Sequence, residues 1–194
     1  YPHNYIVASC LVLLAKAVGK KAEPEIRVLL DCQFDNIQKG VGDALCLIAG
    51  LKDPLAFLWR REQAVGVEML TPPQRVVYFA TVFQSEVCNG GISQFFGNSS
   101  GQYVSETLQA LRELGHPESL AALEQAIAEI GPTATHRDRD TRLAPFAGRY
   151  EELQEKFGEL ESKFYNSQGQ YEIRLRLYMI DHASDFGGNS HIAE

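Results

Sequence analysis

Apolar residues recur at intervals of three and four along most of this chain, and glycine or proline closes most of the runs. Val104, Leu108, Leu111 and Leu114 precede Gly115, and Leu120, Leu123, Ile127 and Ile130 precede Gly131-Pro132. Tyr150, Leu153, Phe157, Leu160 and Phe164 step by 3, 4, 3, 4. Such spacing returns to one face of a helix, whereas a strand exposes alternate residues to opposite faces. Residues 72–88 are apolar on most sides (Val76, Val77, Phe79, Val82, Phe83, Val87), the pattern of a central buried helix that stops at Asn89-Gly90-Gly91. Asp53-Pro54 and Thr71-Pro72 each place a capping side chain before a proline, which marks a helix start. Shorter helices are expected at 6–18, 25–37 and 41–49.

One stretch points the other way. Tyr171, Ile173, Leu175, Leu177 and Met179 alternate with Glu172, Arg174, Arg176 and Tyr178, as in a strand. No second strand offers itself, and a lone strand leaves its backbone groups unpaired. Tyr171, Leu175, Tyr178 and His182 also share a helical face, so 171–179 is read as helix. The expected architecture is all-α, a multi-helix globular bundle with short connections ended by glycine and proline. The polar stretch 133–144 is expected to be an exposed loop with one helical turn. Residues 1–50 are expected to form an N-terminal helical extension packed on or adjoining a main domain at 51–190.

A chain of 194 residues with 45% hydrophobic and 22% charged residues has an ordinary globular composition. The net charge is -7. Residues 1–69 hold eight basic and eight acidic residues, so all the excess negative charge falls in 70–194. A direct nucleic-acid binder needs a cationic face, so none is expected; a basic protein is the natural partner. Cys10, Cys32, Cys46 and Cys88 have no C-x-x-C spacing, and the five histidines, including His191, lie apart. No metal or cofactor is expected, and no catalytic nucleophile stands out. The apolar run at 5–15 is too short to cross a bilayer and has no basic stretch before it. The expectation is a cytoplasmic chain with buried thiols and no membrane association.

Two constellations carry functional weight. The stretch 89–101, NGGISQFFGNSSG, combines glycines, amides, hydroxyls and two aromatics. It reads either as a ligand pocket built from Asn89, Gly90, Gly91, Gln94, Phe95 and Asn98, or as a tight connection in which glycines permit unusual dihedrals and amides satisfy helix ends. On the helix predicted around 150–164, Glu151, Glu155 and Glu159 recur every fourth residue, with Glu152 and Glu161 beside them. At about 1.5 Å per residue the three form a row spaced about 6 Å apart. The pairs Glu152–Lys156 and Glu159–Lys163 have the spacing of helix-surface ion pairs. The alternating charges at 137–142, Arg142 among them, are expected to pair with each other or with water.

From about Thr71 to Phe186 the chain resembles a bacterial domain family known from a DNA-mimic protein. The resemblance rests on Arg75-Val76-Val77-Tyr78, Glu86-Val87-Cys88-Asn89-Gly90-Gly91, Ser93-Gln94-Phe95-Phe96, Asn98-Ser99-Ser100-Gly101 and Ala110-Leu111-Arg112-Glu113-Leu114-Gly115, followed by the 138–142 loop. It implies an all-α fold and a protein, dimeric in the named member, that occupies the DNA-binding face of a transcription factor. The expected function is therefore a non-enzymatic acidic binding protein. Its partner face would comprise Glu151, Glu152, Glu155, Glu159 and Glu161, its target would be a basic nucleic-acid-binding protein, and a homodimer is admitted. The alternatives are a small-ligand-binding domain or enzyme with its site in 89–101, and a partner domain that binds through its N-terminal helices.

Overall fold

The computed structural model describes residues 2–188; His191 and the last positions of the expected 51–190 domain lie outside them. Every regular element among the described residues is helical. The chain divides into two compact units, one formed by residues 1–75 with 168–194 and the other by residues 76–167.

The first unit holds α1 (Pro2–Val18), α2 (Glu23–Arg27), α3 (Asp35–Ile48), α4 (Pro54–Val65) and the start of α5 (Pro72–Gly97). A helix from the far end of the chain, Gln168–Asp181, completes it. Helix α3 is its centre: α1 packs along one side and Gln168–Asp181 along another. Two glycines of α3 make room. A Cβ on Gly40 would lie 2.6 Å from the Cα of Ala8, and one on Gly42 would run into Arg176 and Ile173. Leu11, Ala15, Ile26, Val41, Leu45 and Ile173 close the core between them. Arg176 is almost buried there and pairs with Asp43 at 2.6 Å and with Glu172. Burial pushes the guanidinium pKa down, and the two carboxylates more than offset it.

The alternation at 171–179 has a packing cause. Tyr171, Leu175 and Met179 form one buried stripe, and Gly169, Ile173 and Arg176 another. A helix buried on two sides interleaves two 3.6-residue stripes and so imitates a period of two. The second predicted helix is corrected. Instead of running over 25–37, it stops at Arg27, turns follow, and α3 starts at Asp35 after the extended Phe34. Gly40 lies inside that helix because α1 needs the space.

The second unit contains the rest of α5, then α6 (Val104–Leu114), α7 (Pro117–Ile130), α8 (Arg139–Leu143) and α9 (Tyr150–Tyr165). The helix Gln168–Asp181 follows as α10. The expected central helix is present, with Val77, Ala80, Phe83 and Val87 fully buried. Phe83 stands edge-on to Phe95, with centroids 5.0 Å apart, and to Phe164 at 5.9 Å, the preferred geometry for aromatic pairs. Asp53 accepts from the Ala56 N–H at 3.1 Å, Thr71 and Gln74 form a reciprocal capping box, and Gly115 ends α6 in the left-handed region. His116 caps α7, its Nδ1 accepting from Ser119 N–H at 3.2 Å.

Two expectations of burial are corrected. Cys46 is buried, and its surroundings push the thiol up to about 12, chiefly by desolvation. Cys10 and Cys88 are exposed, because they lie on the outer sides of α1 and α5. Tyr150, at the first turn of α9, is also exposed, although it continues the apolar stepping of that helix.

Gly40→Leu is expected to destabilise the chain by about 1–3 kcal/mol through overpacking against α1. Gly158→Ala, on α9 with nothing near its added Cβ, is expected to stabilise by up to about 1 kcal/mol through helix propensity. Urea unfolding followed by circular dichroism measures both, and an unaltered midpoint for Gly40→Leu would contradict the α1–α3 packing.

Candidate functional site

Helix α5 is broken where the sequence carries Gly90-Gly91. Gly91 has φ 80° and ψ −178°, a conformation essentially confined to glycine. A side chain there would also meet the Glu161 carboxylate of α9. That carboxylate caps the restart of the helix: Ile92 N–H donates to Glu161 Oε1 at 2.7 Å. The expected stop signal is thus a break within one helix, held open by an acid from another.

The amides that follow the break converge on one carboxylate. Gln94 Nε2 and Asn98 Nδ2 donate to Glu86 Oε2 at 2.7 and 2.8 Å, and Ser100 Oγ donates to Glu86 Oε1 at 2.8 Å. The end of α5 is closed by two arginines. Arg139 Nε donates to Gly97 O at 2.6 Å and Arg142 Nε to Phe96 O at 2.8 Å. Arg142 also reaches the carbonyls of His136, at 2.8 Å, and of Asn98, at 3.3 Å. Helix C-terminal carbonyls carry the negative end of the macrodipole, so cations are favoured there. Gly101 lets the chain pass this guanidinium, since a Cβ would lie 2.7 Å from Arg142 Nε. The expectation that Arg142 pairs at the surface is corrected: it is 1% exposed and bonds to backbone carbonyls. Burial lowers its pKa, but guanidinium stays protonated in proteins.

Of the candidate pocket residues, Phe95 is fully buried and Asn89 is exposed. Gly90, Ser93, Gln94, Gly97, Phe146 and Gln154 border an open depression of about 460 Å³. Gln154 Nε2 donates to Ser93 Oγ at its edge, at 2.8 Å. Among the described residues no cluster of histidine, cysteine, aspartate or glutamate is arranged to hold a metal ion.

The packing of α9 sorts its five glutamates. Leu153, Phe157, Leu160 and Phe164 face the core. At about 100° per residue, Gln154 and Glu161 fall on one flank, where both contact the segment after the α5 break. Glu152 falls on the other flank, held by Arg149 at 3.0 Å and Lys156 at 3.2 Å, and Lys156 also binds Glu129 of α7. Glu151, Glu155 and Glu159 lie between the flanks, exposed and directed away from the core. Among the described residues these three form no ion pair, and the expected Glu159–Lys163 pair does not form. Of the five glutamates, Glu151, Glu155 and Glu159 stand as an exposed row, Glu152 beside it is paired with Arg149 and Lys156, and Glu161 accepts from the Ile92 N–H. The unit that carries the row holds seven basic and thirteen acidic residues.

The sequence profile of the DMP19-like protein family matches residues 68–182, more than half of the chain. The chain belongs to this family. No curated protein and no solved structure matches it at a significant level. The DMP19-like segment contains the broken helix, the Glu86 cluster and the acidic row, whereas α1 to α4 precede it. Glu86 and Arg142 lay within the sequence runs that carry the resemblance, but no local signal marked either as a hub. Their importance arises chiefly from partners well separated in sequence, up to 14 residues from Glu86 and 46 from Arg142.

Glu86→Ala is expected to destabilise the DMP19-like chain by about 2–4 kcal/mol, because three donors lose their acceptor in a partly buried site. Equilibrium urea unfolding tests this. Arg149 and Lys156 hold the Glu152 carboxyl down at about 2. The interaction is therefore complete above the usual glutamate range and is lost as the pH falls toward 2. A carbon-13 NMR titration is expected to place Glu152 at about 2, and Arg149→Ala to raise it toward the ordinary value.

Proposed function

We propose that this chain is a non-enzymatic acidic binding protein that acts as a DNA mimic, its α9 carboxylates occupying the basic surface of a nucleic-acid-binding protein. The observation that carries the reading is the separation on α9 between Glu152 and Glu161, which have internal partners, and Glu151, Glu155 and Glu159, which have none among the described residues. A row spaced about 6 Å apart is roughly half as dense as one DNA strand, which carries a charge about every 3.4 Å. It would engage a few phosphate-binding lysines or arginines. Membership of the DMP19-like family supports this class of partner.

The competing ligand-pocket reading of 89–101 is weaker, because the Gln94 and Asn98 amides that would face a ligand already donate to Glu86. The mechanism is Coulombic competition with DNA, screened over about 8 Å at physiological salt.

The test is capture of nucleic-acid-binding proteins on the immobilised chain at low salt, followed by elution with a short DNA duplex. Duplex DNA is expected to release the captured protein. Glu151→Gln with Glu155→Gln and Glu159→Gln is expected to weaken binding by about 3- to 150-fold, from about 0.2–1 kcal/mol per exposed charge pair, and to flatten the salt dependence. Capture that neither duplex DNA nor the triple substitution alters would refute the reading.

A further inference from the structure

Within the first unit, α1, α3, the turn into α4 and α10 border a cavity of about 290 Å³. Val12, Leu47, Leu51 and Met179 supply apolar surface to it, and Lys16 and Lys52 supply cations. Among the described residues neither lysine has an ion pair or a hydrogen bond through its side chain. The other charges at the cavity are engaged. The Arg176 side chain is 9% exposed, its Nε donates to Asp43 at 2.6 Å, and its Nη1 binds Glu172. Its third nitrogen, Nη2, has no acceptor among the described residues. Asp53 accepts from the Ala56 N–H as the cap of α4. The Leu55 N–H, in the first turn of that helix, has no acceptor among the described residues, as a helix N-terminus leaves it. Cys46 borders the cavity as a neutral thiol, because burial pushes its pKa up. The cavity therefore sets unmet donors beside apolar surface.

We propose that this cavity binds a small aliphatic carboxylate, with its head on Lys16, Lys52 and the Leu55 N–H and its tail against Val12, Leu47 and Met179. A charged head that leaves water needs donors to replace it, and those at the cavity are unspent. Asp43 and Asp53 border the same space. Their charges repel a dianion more strongly than a monoanion, which favours a carboxylate over a phosphate.

Space sets the length of the tail. Liquid water takes about 30 Å³ per molecule. By that measure 290 Å³ holds roughly eight to ten non-hydrogen atoms, the size of hexanoate to octanoate. The site lies in the first unit and uses no residue of the acidic row, so it stands or falls independently of the DNA-mimic reading.

NMR of the full chain labelled at its methionine methyl groups tests the site, with sodium hexanoate as the probe. The chain has two methionines, Met69 and Met179, and of these Met179 borders the cavity. Hexanoate is expected to shift the Met179 signal saturably and to leave Met69 in place. Affinity is expected to rise about fourfold per added methylene from butanoate to hexanoate. Hexanol, which has the tail without the charge, and inorganic phosphate, which has charge without the tail, are each expected to bind more weakly than hexanoate. Lys16→Gln with Lys52→Gln, both at exposed positions, is expected to weaken hexanoate binding by about 2- to 30-fold, the worth of two exposed charge pairs, with an unchanged circular dichroism spectrum. The probe series on the wild type requires no variant to fold. A Met179 signal that does not saturate, a flat chain-length series, hexanol equal to hexanoate, or a folded double variant with wild-type affinity would overturn the proposal. Phosphate that binds more tightly than hexanoate would also overturn it and assign the cavity to a phosphate group.

Discussion

The second unit depends on one hydrogen bond between a carboxylate and a backbone amide, Glu161 to Ile92 N–H. Gly91 breaks α5 by adopting a conformation that other residues avoid, and the break exposes amide groups at the restart of the helix. A buried, unmet N–H is costly, so the break needs an acceptor. Helix α9 supplies it and is thereby fixed in rotation about its own axis. Its apolar stripe meets the core, and Glu151, Glu155 and Glu159 face outward.

The same logic explains why a segment rich in amides and hydroxyls does not leave those groups open to a ligand. A carboxylate can accept several hydrogen bonds, and Glu86 accepts from Gln94, Asn98 and Ser100. The matching need at the helix C-terminus is met by Arg139 and Arg142, whose guanidinium groups satisfy carbonyls that a helix end leaves unpaired. An acid and two bases therefore hold the stretch 89–101 from its two ends. Charge in this unit is divided between residues that support the backbone and residues directed to solvent.

Much of the fold was legible because helix periodicity and capping are local properties. The starts at Asp53-Pro54 and Thr71-Pro72, the stop at Gly115 and the buried stripe of α9 follow from residues within a few positions of each other. The break at Gly90-Gly91 was visible as punctuation, but the helix resumes beyond it because Glu161 caps the new start. The strand-like alternation of α10 was misleading in form because two neighbouring surfaces bury it. The span 25–37 carries no local signal of interruption, although the chain turns after Arg27 and restarts at Asp35.

The sequence alone determined the helical class, the ends of most helices, the acidic balance and the row spacing on α9, all consequences of short-range periodicity and composition. Only the tertiary structure decided which charges are free. Glu161, Glu86 and Arg142 look like ordinary surface residues in the sequence, and each is engaged by groups that folding brings to it, whereas Glu152 pairs with Arg149 and Lys156 at helical spacing. Ion pairing and backbone capping act over a few ångströms in space and are indifferent to distance along the chain. The partition of like residues into structural and outward-facing sets therefore exists only once the helices have packed.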